Sequence, residues 1–196
     1  MTGTTMQADM NGKLGPGRMV LVVGPSGAGK DTLLNALRDR LSGDDRVRFA
    51  IRRITRPADG ATETHVPISE GGYDEAVAAG RFALAWRAHG LGYILPADLD
   101  DVIRTGGTVI ANGSRHALAD ALEKYENLLI LLITAPKAVL AERLAARGRE
   151  SREEIERRLD RSTFDMPEVA NVARIENTGT VEEALDAILK KIGPGT

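Results

Sequence analysis

The 196-residue chain contains no cysteine. Disulfide frameworks, cysteine zinc sites and thiol nucleophiles are therefore excluded, and a reducing compartment is compatible with the sequence. Nor does any stretch approach the roughly 18 consecutive apolar residues that a bilayer-spanning helix requires. Residues 1–17 are polar and rich in Gly and Thr, without the apolar segment of a secretory signal. They are expected to form a flexible leader to one domain, 18–196, of a soluble, cytoplasmic protein. Repeats, low-complexity tracts and linkers are lacking too, so nothing marks a second domain. Charge of one sign is not in excess: 26 Lys and Arg stand against 28 Asp and Glu, a formal net charge of −2. That balance speaks against a general nucleic-acid binder and leaves room for a local anion pocket.

What is present is an alternation. Residues 18–23 are short, β-branched and apolar and stop at Gly24, as a strand buried on both faces does. From 30 to 41 the apolar residues Leu33, Leu34, Leu37 and Leu41 keep helical spacing, and Ser42-Gly43 supplies the stop. Strand-like runs recur at 47–54, 108–111, 128–134 and 171–176. Helical patterns lie near 69–79, 97–104, 115–124, 136–146, 152–162 and 181–192. Strands alternating with helices predict crossover units around a mostly parallel central sheet flanked by helices, an α/β fold. The stretch 82–95, with Trp86, His89, Gly90, Gly92 and Tyr93, breaks that rhythm and predicts a small strand-rich flap.

Gly24-Pro25-Ser26-Gly27-Ala28-Gly29-Lys30 satisfies G-x-x-x-x-G-K and sits between a predicted strand and a predicted helix, the context that gives this motif its meaning. The glycines let the backbone wrap a polyphosphate, the helix start adds positive potential, and Lys30 adds a point charge. The position that usually offers a Ser/Thr hydroxyl to Mg2+ is Asp31, followed by Thr32. Asp31 could bind the cation directly or through water, or serve only as a favourable first-turn acid. Further on, Arg143 and Arg147 fall four apart on one helical face, ahead of Gly148, with Arg149, Arg157 and Arg158 beyond. A solvated helix with ion pairs to Glu142, Glu150 and Glu154 would read the same way. Beside a phosphate loop, the pattern predicts a lid at about 143–160 whose arginines stabilise a transferring phosphoryl group.

The order of these features resembles the guanylate kinase branch of P-loop kinases: the loop at 24–30, Ile54-Thr55-Arg56, Val66-Pro-Ile-Ser69, Leu84-Ala-Trp86, His89-Gly-Leu-Gly-Tyr93 and Arg143-Leu-Ala-Ala-Arg147-Gly. In that branch guanine is read by acidic groups, and the corresponding positions here are Ala85 and about Asn112. A base whose donors would be buried unpaired is strongly rejected, so a guanine reader is not expected. Lys30-Asp31, Ile54-Thr55-Arg56, Glu63-Thr64-His65, Asn112-Gly113-Ser114-Arg115 and Arg147-Gly148-Arg149-Glu150 together resemble the guanylate-kinase-like ribose 1,5-bisphosphate phosphokinases of phosphonate utilisation.

That resemblance implies transfer of the ATP γ-phosphate to ribose 1,5-bisphosphate, with Mg2+. It implies Gly24 to Thr32 around ATP, with Lys30, Arg143 and Arg147 on the transferring group and Asp31 and Thr32 at the metal. Arg56, His65, Tyr93 and Arg115 would hold acceptor phosphates and Asn112 the acceptor hydroxyls. Plainer roles stay open: His65 as a surface histidine, Asn112-Gly113 as a turn, Arg115 as a cap or partner of Asp120, Trp86 as packing. A nucleoside monophosphate kinase, or a catalytically silent interaction module, are the other functions the features allow.

Overall fold

The computed structural model describes residues 12–57, 64–146, 155 and 171–193. In chain order the elements are β1 (Leu14–Val23), α1 (Lys30–Arg40), β2 (Val47–Phe49), β3 (Arg53–Ile54), β4 (Val66–Pro67), α2 (Glu70–Ala78), β5 (Leu84–Ala88) and β6 (Leu91–Leu95). Then come α3 (Leu99–Arg104), β7 (Thr108–Asn112), a 3-10 turn (Arg115–Ala117), α4 (Leu118–Lys124), β8 (Tyr125–Thr134), α5 (Lys137–Ala145), β9 (Val172–Glu176) and α6 (Val181–Ile192).

Alternate side chains of β1 enter two different cores. Met19, Leu21 and Val23 pack on one face with α3, α4 and the flap strands, while Val20 and Val22 pack on the other with α1, α5 and α6. A strand apolar on both faces has to be covered on both, and parallel pairing with crossover helices does this. The central sheet accordingly runs β2-β7-β1-β8-β9 with every neighbouring pair parallel. The flap is a second sheet, β4-β3-β6-β5, in which β5 and β6 form an antiparallel hairpin. No helix among the described residues is long and apolar enough to cross a membrane.

Three expectations are corrected. The first strand begins at Leu14, not at 18: Leu14 pairs with Tyr125 across a register shift, and Lys13 Nζ donates to the Leu122 carbonyl at 2.7 Å. Polar and glycine-rich composition hid a strand end held by long-range backbone contacts. The run 47–54 is two strands in two sheets; the Ala50 N–H makes the last bond to Ile110 in the central sheet, and the chain then crosses to the flap. Asn171 precedes β9 in a left-handed conformation, φ 67°, so the strand starts at Val172, one residue later than the run suggested. The helical pattern at 152–162 lies outside the described residues apart from Ile155, which is buried in the second core.

Both ends of the flap hairpin are tied to one place. Lys124 Nζ donates to the Ala83 carbonyl just before β5 at 2.7 Å and pairs with Asp100 Oδ2 just after β6 at 2.6 Å. Tyr125 donates its hydroxyl to Asp100 Oδ1 at 2.8 Å, with Asp100 and Tyr125 both buried. Burial, and then the Asp100 charge, pushes the phenol well above its ordinary pKa, so it stays a donor. Tyr125→Phe removes one buried partner of a carboxylate and is expected to lower stability by about 1–3 kcal/mol in urea denaturation.

Candidate active site

Because the central strands are parallel, their carboxyl ends share one edge of the sheet, where open α/β sheets bind ligands. Each end delivers something. β1 runs into the phosphate loop, β7 ends on Asn112, β8 leads to α5 and Arg143, and β9 leads to Asn177.

The loop leaves β1 at Gly24, where a Cβ would strike the Ile133 carbonyl of β8. It enters α1 at Gly29, which caps the helix in the left-handed region at φ 89° with no side-chain cap. The N–H groups of the first turn are thus left for an anion. Lys30 folds back over the loop, Nζ donating to the Gly24 carbonyl at 2.9 Å and the Pro25 carbonyl at 3.1 Å. Above it, Arg143 Nη2 donates to the Asn177 carbonyl at 3.0 Å, while Nη1 is buried without a hydrogen-bond partner among the described residues. That nitrogen lies 3.9 Å from where a Cβ on Gly29 would stand, so it overhangs the loop.

On the other side of β1, Asn112 is opposite Val22 and only 7% exposed. Its Nδ2 donates to Asp31 Oδ1 at 2.9 Å, and its Oδ1 has no partner among the described residues. A carboxylate only accepts, so the amide orientation is fixed by Asp31 and the oxygen has to seek a donor elsewhere. Asn112 and Asp31 line a cleft with Leu34, Arg38, Phe49 and Thr64. No cluster of three or more His, Asp or Glu among the described residues could hold a metal. The donor set, one half-buried carboxylate beside a phosphate loop, fits Mg2+, which keeps waters and takes phosphate oxygens. Thr32, next to it, is exposed on the first turn of α1.

The flap holds the remaining candidates. Thr55 bonds β6 twice, its N–H donating to the Gly92 carbonyl at 3.0 Å and its Oγ1 accepting from the Gly92 N–H at 2.8 Å. Hydrogen bonds from the Thr55 hydroxyl, and then from Arg87, hold the Glu70 carboxyl below its usual pKa. Arg56 follows Thr55 just beyond β3, in which Ile54 is the strand neighbour of Tyr93. His65 is buried, its Nε2 3.2 Å from the Arg56 carbonyl. Tyr93 stacks on the buried Trp86 with centroids 5.4 Å apart and planes within 3°.

A family model described as an AAA domain matches residues 19–166. A relative named "Ribose 1,5-bisphosphate phosphokinase PhnN" in Brucella melitensis is 48% identical, covering 94% of this chain and 94% of its own. Its namesake in Rhodopseudomonas palustris is 47% identical, over 91% and 90%. The chain belongs to the ribose 1,5-bisphosphate phosphokinase family. Among solved structures, a guanylate kinase from Anaplasma phagocytophilum superposes with a TM-score of 0.65 at 17% identity, covering 88% of this chain and 82% of that one, which shows the guanylate-kinase-like fold.

Within this phosphokinase family member, the expected site residues fall into two groups. Lys30, Asp31, Asn112 and Arg143 come to the sheet edge, while Arg56 and His65 meet on the flap, to which Tyr93 also belongs. Arg115 opens the 3-10 turn, exposed and packed near β5, with Ser114 as the cap. Arg147 lies outside the described residues. One expectation shifts: Ala85 faces α2 with Tyr73 and Ala76, whereas Leu84 and Trp86 share the Tyr93 face. None of the three offers a carboxylate, so the inference about guanine stands at either register.

Two residues escaped the sequence. Arg52, 9% exposed, lies 5.1 Å from the Tyr93 ring centroid and 6.0 Å from that of Trp86; its signal was the Arg52-Arg53 pair, one of which a strand must turn inward. Asn177 gave no signal, because its partners are distant in sequence. Gly29→Ala would bring a Cβ within 2.5 Å of Asn177 Nδ2 in a left-handed backbone. We expect it to weaken ATP binding about tenfold or more, read by calorimetric titration.

Proposed function

We propose that this protein transfers the γ-phosphoryl group of ATP to ribose 1,5-bisphosphate, giving ADP and 5-phospho-ribose 1-diphosphate. A terminal oxygen of the acceptor's 1-phosphate forms the new bond to Pγ as the bond from Pγ to the bridging oxygen breaks, and ADP leaves with that electron pair. The attacking oxygen is already ionised at neutral pH, so no strong general base is needed and like-charge repulsion dominates the barrier. The roles follow the chemistry. Gly24 to Thr32 wrap ATP; Lys30, Arg143 and Arg147 stabilise the transferring group, the arginines from a lid at about 143–160; Asp31 and Thr32 hold Mg2+. When bound, Mg2+ draws charge from the phosphate oxygens. Arg56 and Tyr93, on a flap at about 55–95, hold the acceptor's phosphates together with Arg115, and His65 acts through Arg56. The proposed setting is the cytoplasm.

The observation that carries the reading is the buried Asn112, its amide held by Asp31 and its Oδ1 lacking a donor among the described residues. The phosphates of a sugar bisphosphate are acceptors, so its only donors are ring hydroxyls, and one of them satisfies that oxygen. ADP release with ATP, Mg2+ and either ribose 1,5-bisphosphate or GMP tests the reaction. We expect turnover with the sugar alone, and a Lys30→Ala loss of about a hundredfold or more. Turnover with GMP alone would establish a nucleoside monophosphate kinase, and silence with both would favour a binding module.

The hydroxyl contact predicts selectivity as well. An acceptor lacking the hydroxyl in question, 2-deoxy or 3-deoxy, should lose about tenfold or more in kcat/KM, because Oδ1 is then buried unpaired. Asn112→Ala should erase that preference while turning over both sugars slowly. An undiminished preference in the variant would remove Asn112 from acceptor recognition.

A further inference from the structure

Asn177 joins four parts of the site. Its N–H donates to the Thr134 carbonyl at 2.7 Å, the bond by which β9 last grips β8. Its carbonyl accepts from Arg143 Nη2 at 3.0 Å. Its side-chain Nδ2 donates to the Ala28 carbonyl at 2.8 Å, and the same nitrogen closes off the space beside Gly29. The residue is 7% exposed, and the segment after it is held by the Thr180 capping box that starts α6.

The bond to Ala28 matters because of peptide geometry. The Ala28 carbonyl and the Gly29 N–H belong to one planar trans unit and point in opposite directions. Drawing the carbonyl outward toward Asn177 therefore turns the Gly29 N–H inward, toward the space the loop encloses. In a glycine-rich loop little else restrains that rotation. The second bond acts on the partner cation. A backbone carbonyl fixes the Arg143 guanidinium without cancelling its charge and leaves Nη1, which has no hydrogen-bond partner among the described residues, over Gly29.

We infer that Asn177 is a positioning residue for phosphoryl transfer. It aims the Gly29 N–H at the donor's polyphosphate through Ala28, and it holds Arg143 over the same group through its own carbonyl. The inference rests on the proposed kinase reading for its donor, though not for the identity of the acceptor. It assigns the side chain to polyphosphate and not to the nucleotide's base.

The variants Asn177→Leu, close in size and uncharged, and Asn177→Ala serve as tests, with folding checked by circular dichroism so that either one suffices. Calorimetric titration of wild type and variant with ADP and with inorganic tripolyphosphate, both with Mg2+, separates the possibilities. The expected result is that both ligands weaken by the same factor, about tenfold. In turnover, kcat should fall while the KM for the acceptor stays within about twofold, because the acceptor side is untouched. A loss for ADP with tripolyphosphate unchanged would show that the side chain reads the base and would overturn the inference, as would no loss for either ligand. Wild-type protein that binds ADP normally but does not turn over ribose 1,5-bisphosphate would refute the acceptor reading and leave the Asn177 result standing on its own.

Discussion

The rest of the structure depends on β1 being apolar on both faces. A strand of that kind can only lie inside a sheet covered above and below, and right-handed crossovers through covering helices make its neighbours parallel. Parallel strands have all their carboxyl ends on one edge. The phosphate loop, Asn112, the approach to Arg143 and Asn177 thus come together from positions up to the far end of the chain without any direct sequence relation. The close passage of Gly24 against the Ile133 carbonyl is the local counterpart of that constraint, since the loop must leave β1 while still pressed against β8.

The cations of the site are held in a particular way. Lys30 bridges two loop carbonyls, and Arg143 donates to the Asn177 carbonyl. A carbonyl orients a charged donor without itself cancelling the charge, and the Arg143 guanidinium held in this way overhangs the phosphate loop. The surface behaves differently. Arg40 with Glu182, Arg81 with Glu75 and Arg87 with Glu70 and Asp74 are exposed ion pairs. Such pairs are screened by water and contribute little, typically about 0–1 kcal/mol each.

The phosphate loop was legible because its function and its local geometry use the same residues: glycines where the backbone must turn, a lysine where charge is needed, a strand before and a helix after. The central strands were legible for the same local reason, continuous apolar runs bounded by turns. What failed to show was set at long range. Leu14 joins β1 through a pairing with Tyr125 that composition does not betray. The break between β2 and β3 is decided by which sheet offers a free edge, and apolar periodicity is blind to that. Ala85 was the natural counterpart of a lost acid beside a tryptophan, but alternation along β5 is fixed by the Trp86–Tyr93 pair and turns Ala85 to α2. Asn177 looks like a turn residue in the sequence; only the β8–β9 register brings it to Ala28.

The departures from the guanylate kinase pattern at Asp31 and Asn112 are best understood together. An asparagine at the end of β7 could present either its oxygen or its nitrogen to a ligand, since the amide can turn over. With an acid at position 31, that freedom is gone: the carboxylate accepts Nδ2–H and cannot donate, so Oδ1 is forced to the opposite side. The loop-side change therefore sets the polarity of the group at the sheet edge, making it an acceptor of hydrogen bonds without giving it a charge. A neutral acceptor suits a hydroxyl and avoids repelling a ligand that already carries two phosphates, whereas a carboxylate there would suit a nitrogen base and oppose a bisphosphate through the field of its charge.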